Sequence, residues 1–393
     1  MRCSRRPGDR PGPVLRRLPL FAGLVVGLTC LAPASARAQS NEAEAAIHDL
    51  ADVTEHGAKA GEGRDLVILP VPVSNPSVGN GLAIAAMALY TPAGSIDPWA
   101  TGIGALYTDS GSWAVGVVQK ASLDDGRLRL LAFGGVGDFH LDFYGIGPDA
   151  GSRGESIAIE QSGSFALAHA LIRVTEGLYV GPLVRYLEVD TKLDAGELDL
   201  PEIDIPPFEL ASRTIGLGVA AEYDTRDSEY APRHGLYGTL QYYRADDDLG
   251  SDFSYDHTQA ALNAYYPLSE TSVVAGRLAV CDAGDGAPFY DLCAFGQSND
   301  LRGYVSGRYR DHATIAAQVE LRQTLRGRFG LAVFAGVGTA ASGLSELFDG
   351  EPLPAAGVGL RYQASEAYGV NVSVDYAVGR DDGALYFRIG EAF

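Results

Sequence analysis

The sequence predicts an all-β protein: a transmembrane antiparallel β-barrel of about 16 strands, with the loop between strands 11 and 12 folded inward. Three observations lead there. Segment after segment alternates polar and apolar residues with period two. After residue 38 no apolar run reaches the roughly 20 residues a spanning helix needs. The chain is also 46% hydrophobic, with 49 Gly, 20 Tyr and 14 Phe, and its aromatics gather towards segment ends.

Residues 1–38 read as an export signal. Arg2, Arg5, Arg6, Arg10, Arg16 and Arg17 form a positive leader, Leu18 to Leu31 an apolar run, and Ala36-Arg37-Ala38 a small-residue cleavage site. Removing this segment takes seven Arg and one Asp from totals of 30 basic and 50 acidic residues, leaving 23 against 49 and a net charge of −26. Such a chain repels phosphates, which excludes nucleic acid as a partner. Cys3 and Cys30 leave with the signal. Cys281 and Cys293, twelve residues apart in an exported chain, are most simply a disulfide.

Residues 39–64 form a short periplasmic N-terminal segment, polar and rich in Ala and Glu. Asn41 to Glu55 reads as one helix capped by Asn41, or equally as a flexible tail. The segment is too short for an independent domain.

Residues 65–393 form the barrel. Gln318, Glu320, Arg322 and Thr324 alternate with Val319, Leu321 and Leu325, and Val370, Val372, Val374 and Tyr376 alternate with Asn371, Ser373 and Asp375. Alternation alone fits a soluble sandwich too. The length of the segments, near ten residues, favours strands that cross hydrocarbon. Tyr107, Tyr179, Tyr223, Tyr242, Tyr243, Tyr265, Tyr266 and Phe393 are candidate interfacial girdle residues. At about 20 residues per strand with its connections, the 329 residues give roughly 16 strands, an even number that keeps both chain ends in the periplasm. The final Phe393 fits an outer-membrane strand that assembly machinery recognises.

No enzyme emerges from the residues. There is no Gly-x-Ser-x-Gly elbow. His48, His56, His140, His169, His234, His257 and His312 are dispersed, without a His-x-x-x-His pair. Gly336-x-Gly338 lacks the strand–helix setting of a nucleotide site. Asp246-Asp247-Asp248 lacks the spacing of a calcium loop and reads as a solvated turn. Neither a cofactor nor a metal is expected.

Residues 282–312 are the longest polar connection, and Gly284, Gly286, Gly296, Gly303 and Gly307 let it fold tightly. A wide barrel encloses a wet lumen unless something fills it. Folded inward, the loop would bring Arg302 to Glu320 on the polar face of the next strand, a two-pronged match of guanidinium and carboxylate. From the residues alone, Arg302, Arg308 and Arg310 read equally well as solvated loop charges.

Leu301-Arg302-Gly303-Tyr304 resembles the (Val/Ile/Leu)-Arg-Gly-(Phe/Tyr) signature of loop six in the BamA/TamA-type surface-antigen barrels. Asp224-Thr-Arg226-Asp227, followed by Pro232-Arg-His-Gly235, resembles their Asp-x-Arg-Asp…Pro-x-x-Gly element. Phe143-Tyr-Gly-Ile-Gly147 resembles an element of the short bacterial surface-antigen subgroup. Gln318-x-Glu320-x-Arg322 and Phe334-Ala-Gly-Val-Gly338 resemble the two strands after loop six. The resemblance implies a sixteen-stranded barrel in the bacterial outer membrane, acting in or derived from protein insertion or export. It implies that Arg302 is a lumenal tether, with Gly303 shaping the backbone and Tyr304 packing beside it.

Two departures qualify the tether and the function. Gly336 stands where the family has an Asp, so the tether is half present, with Glu320 alone, unless Asp375 or another carboxylate substitutes. Residues 39–64 are too few for the periplasmic polypeptide-transport-associated domains. The expected partners are outer-membrane lipid, with periplasmic or outer-membrane assembly proteins and client polypeptides. The alternatives are a passive structural barrel, or a solute pore whose negative lumen selects cations.

Overall fold

The computed structural model describes residues 64–75, 78–92, 99–193, 211–228, 231–296, 300–365, 370–381 and 383–393. The signal segment and the helix expected over Asn41 to Glu55 lie outside the described residues.

Sixteen strands pair with their chain neighbours in one antiparallel sheet. They are β1 Arg64–Asn75, β2 Gly79–Tyr90, β3 Trp99–Thr108, β4 Trp113–Leu123, β5 Leu128–Phe143, β6 Ile157–Thr175, β7 Leu178–Leu193 and β8 Ala211–Asp224. The second half holds β9 Gly235–Ala245, β10 Tyr255–Pro267, β11 Ser272–Ala283, β12 Ala313–Thr324, β13 Phe329–Ala341, β14 Leu353–Ser365, β15 Val370–Val378 and β16 Gly383–Ile389. A six-residue helix, α1 Pro148–Arg153, sits in the β5–β6 loop. The sheet curls until β16 lies beside β1. Among the described residues no backbone ladder joins these two strands.

The burial pattern is inverted relative to a soluble protein. On β12 the apolar Val319 and Leu321 are 51% and 42% exposed, whereas Gln318, Glu320 and Arg322 are buried. Exposed Ile103, Val117, Val333 and Leu360 continue the outer apolar band. Only a hydrocarbon solvent makes such a surface favourable.

Connections differ at the two ends. At the end where β1 begins and β16 finishes, the β4–β5 and β6–β7 connections are tight. Asp124 and Asp125 adopt φ of 51° and 55°, with Gly126 at 74°, and the turn closes through Arg127 N–H to the Asp124 carbonyl at 3.0 Å. Asp tolerates this left-handed backbone better than most residues. The loop after β11 occupies the other end.

One expectation needs correction. Adjacent residues on a strand point to opposite faces, so Tyr242-Tyr243 and Tyr265-Tyr266 cannot both supply girdles. Tyr242 and Tyr266 face outward at 37% and 69% exposure, while Tyr243 and Tyr265 are buried at 4% and 5%. Tyr179 is buried as well, its hydroxyl donating to the Gly126 carbonyl at 3.1 Å. Phe393 turns towards Arg302 and Arg322, whose guanidinium carbons lie 5.6 Å from its ring centre in both cases.

The inner wall is also not uniformly polar. Met87, Phe133, Phe165, Leu167, Leu183 and Leu187, from β2, β5, β6 and β7, belong to one buried apolar cluster. Charged inward residues concentrate on β12 to β16.

Candidate functional site

The connection between β11 and β12, loop six, is folded into the barrel, as the burial of Phe295, Leu301, Tyr304 and Tyr309 shows. Cys281 at the end of β11 is bonded to Cys293, their Cα atoms 5.7 Å apart. Cys293-Ala294 then pairs antiparallel with Arg310-Asp311, which turns the stretch between them into a hairpin. Gly303 takes φ of +111°, and a Cβ there would lie 2.8 Å from the Val378 carbonyl carbon. Any other residue would meet both left-handed strain and a backbone clash. Its N–H donates to the Tyr386 hydroxyl at 2.9 Å.

This backbone delivers Arg302 to the wall. One amino group lies 2.7 Å from Glu320 Oε2 on β12, the other 2.7 Å from Asp375 Oδ2 on β15. The Nε donates to Gln318 Oε1 at 3.3 Å. The guanidinium lies 3.4 Å over the centre of the Phe334 ring from β13. Acids at its edges and an aromatic ring against its face suit a planar, delocalised cation. Tyr304 packs alongside, edge-on to Tyr309 at 5.4 Å, and its hydroxyl donates to the Pro354 carbonyl at 2.6 Å.

The tether therefore has two acids. Asp375 supplies the second, and Gly336 could not: a Cβ there would stand 2.7 Å from Gln318 Cγ and 3.0 Å from Leu301 Cδ1. Around the tether a wider network forms. Arg322 Nε donates to Glu320 at 2.7 Å, and Arg361 donates to Glu391 at 2.7 Å and closely to Asp375. Arg388 lies 3.4 Å from Asp375. Four arginines thus interleave with Glu320, Asp375 and Glu391, so this side of the lumen is not the negative surface a cation-selective pore requires. Sequence reading did not single out Arg361, on β14, Arg388, on the seven-residue β16, or Glu391, two residues past the end of that strand.

Arg308 and Arg310 are also held rather than solvated. Arg308 Nε donates to the Gly151 carbonyl of α1 at 2.9 Å. The Arg310 carbonyl accepts from Gly147 N–H at 2.8 Å, and its guanidinium lies 5.7 Å from the Phe143 ring centre. The Phe143–Gly147 element is thus the seat for the returning leg of loop six.

The mid-barrel element stays apart from this site. Asp224 and Arg226 pair with one another at 2.8 Å, and Arg226 stacks 3.8 Å over Tyr237. Asp227 accepts from the N–H groups of Arg233 and His234 at 2.9 and 3.1 Å. Burial pushes its carboxyl up, but these donors hold it below the usual carboxylate range. Pro232 is buried. Gly235, at φ of +101°, lets the chain pass the Thr225 carbonyl. Together these residues build the β8–β9 turn at the terminal end of the barrel.

Two ligand-like clusters have ordinary roles. His257, Cys281 and Cys293 converge, but the sulfurs are bonded to each other and offer no thiolate. Asp246 caps a short 3-10 turn, accepting from Asp248 N–H at 3.1 Å. The backbone N–H of His312 donates to Asp311 at 2.8 Å.

Fold and wall define a class: an outer-membrane β-barrel occupied by its own loop. Residues 209–393 match the Omp85 superfamily domain. In fold the chain is similar to BamA from Haemophilus ducreyi lacking POTRA domains 1–3, with a TM-score of 0.56 and 16% identity over 85% of this chain and 69% of that one. It is similar to CdiB from Acinetobacter baumannii, with a TM-score of 0.55 and 13% identity over 84% and 60%. For CdiB from Escherichia coli the values are 0.51 and 12% over 84% and 63%. The chain therefore spans less than two thirds of either CdiB. No curated protein matches it in sequence. The likeness to the Omp85 superfamily domain covers residues 209–393, and over the chain as a whole the likeness to BamA and CdiB is one of fold.

Proposed function

We propose that this barrel assists insertion or export of other polypeptides at the outer membrane, together with separately encoded periplasmic partners. The observation that carries the reading is the junction of β1 and β16, neighbours without a ladder among the described residues. Unpaired strand edges are templates for an incoming strand, and a client hairpin entering there would find its backbone partners at membrane depth. The loop-filled lumen supports a lateral route over an axial one. In this reading the chain carries no catalytic chemistry of its own.

A second reading is a passive barrel that keeps the fold and inserts nothing. The firm seating of loop six favours it, since nothing in that seating requires the wall to move. Depletion of the protein in its host separates the two. Unfolded barrels accumulating in the periplasm, or a secretion block, supports the assisting role; normal barrel levels with normal secretion would leave the passive reading.

A further inference from the structure

Loop six meets the wall at a second place, eleven residues before Arg302. Phe289–Asp291 forms a single 3-10 turn that directs Asp291 to β7, β9 and β10. Arg185 on β7 donates to both carboxylate oxygens, each at 2.9 Å. Tyr243 on β9 donates to the same carboxylate at 2.7 Å, and Tyr255 on β10 adds a further short bond. Arg185 also donates to the Tyr243 hydroxyl at 2.9 Å. Next to Asp291, the Tyr290 hydroxyl meets Ser212 of β8 at 2.8 Å, and Phe289 packs edge-on to Phe143 at 5.3 Å. Asp291 and Arg185 are both buried.

A carboxylate taken out of water is strongly unfavourable unless its oxygens are filled by donors, and here two guanidinium and two phenolic donors fill them. The Arg302 contacts use β12, β13 and β15; the Asp291 contacts use β7, β9 and β10. No side chain named for one cluster is named for the other. Between them run the disulfide and the hairpin of the loop, and Cys293 stands two residues from Asp291. His257 links disulfide and cluster, stacked on Tyr243 at 5.0 Å with its Nε2 3.8 Å from Cys281 Sγ.

We propose that Asp291 and Arg185 form a second lock on loop six, independent of the Arg302 tether, which makes the loop a strut fixed to two parts of the wall. Either lock holds the loop in the lumen when the other is opened, and clearing the lumen requires opening both. The inference goes beyond the assisting role and does not depend on which client or partner is involved.

The test is conductance in planar bilayers of purified, folded full-chain protein. Arg302→Ala opens one lock, and the pair Arg185→Met with Asp291→Leu opens the other without stranding a buried charge. Each alone should stay within about twofold of wild type, and the combination should conduct about tenfold more, a non-additivity expected only if either lock suffices. If one lock opened alone conducts as much as the combination, or the combination stays closed, the proposal fails. Should the combined variant not fold, Asp291→Asn in the Arg302→Ala background takes its place, read against the same two outcomes. A second readout is maleimide labelling of Ser306→Cys, a buried loop position. It should remain slow with either lock open and accelerate with both; acceleration with one alone overturns the strut.

Discussion

Arg302 works because three residue types meet it at once, and each can be tested. Removing the guanidinium by Arg302→Ala leaves Glu320 with Arg322 and Arg361, and Asp375 with Arg361 and Arg388, so neither acid is stranded, and the lost charged hydrogen bonds should cost about 1.5–3 kcal/mol. The temperature at which the folded band on a semi-native gel gives way to the unfolded one should fall; no change would mean the tether adds nothing to stability. A second expectation runs against family logic. Gly336→Asp places an acid where the resembled motif would have one, yet it should destabilise the barrel, because Gln318 and Leu301 already occupy the space a Cβ would need. A variant at least as heat-resistant as the parent would show that Gln318 and Leu301 can make room for the added side chain. The second carboxylate of the tether comes from Asp375 on β15, not from position 336 on β13.

At the scale of elements, loop six is a disulfide-bridged hairpin whose two ends read the wall differently. The Cys281–Cys293 bond closes a loop of sequence separation 12, for which chain entropy suggests about 3 kcal/mol. Cys281→Ser with Cys293→Ser should lower heat resistance by a comparable amount, measured on the same gels under non-reducing conditions. Acid should act at Asp291. Burial alone would lift its carboxyl, but the Arg185 charge and the Tyr255 and Tyr243 hydroxyls hold it below the ordinary range. With the folded value beneath an unfolded one near 3.9, its contribution is complete above about pH 5 and disappears as pH falls through the folded value. Arg185, His257, Tyr243 and Tyr255 are the titratable groups facing it. Heat resistance should hold between about pH 8 and 5 and drop below about 4, and Asp291→Asn should flatten that drop.

These elements also show where the sequence was legible. Arg302 stood out because Leu-Arg-Gly-Tyr is compact and Glu320 follows on a cleanly alternating strand. Asp291 did not, because Phe-Tyr-Asp carries no periodic signal and its partner Arg185 lies 106 residues earlier. The apolar inner wall was hidden for a related reason. On β7 the inward Leu183, Leu187 and Val189 alternate with outward Val180, Pro182 and Val184, so both faces are apolar and period two vanishes. Alternation separates two faces but does not say which is wet.

For the whole molecule, the apolar inner wall of β2 to β7 and the buried residues of loop six take up space that an open pore would need. Deleting residues 296–307, which removes the tether and the hairpin tip, should raise bilayer conductance well above the parent. A large parental conductance would contradict a filled lumen. The surplus of acidic residues in the chain is not gathered around Arg302, so the enlarged pore should show weak rather than strong cation preference.

The seat of loop six on Phe143–Gly147 and α1 also orders events in time. Arg308 reaches Gly151 across 157 residues, a contact that cannot form until β5 and β6 have risen and their connecting loop is in place. Closure over so long a stretch is slow compared with pairing of neighbouring strands. The early half of the sheet is therefore the mould on which the late loop is cast, and refolding into detergent should show strand formation first, with acquisition of heat resistance trailing it. Substituting Gly151, where a Cβ would stand 2.5 Å from the Arg308 carbonyl, should lengthen that second phase while leaving the first unchanged.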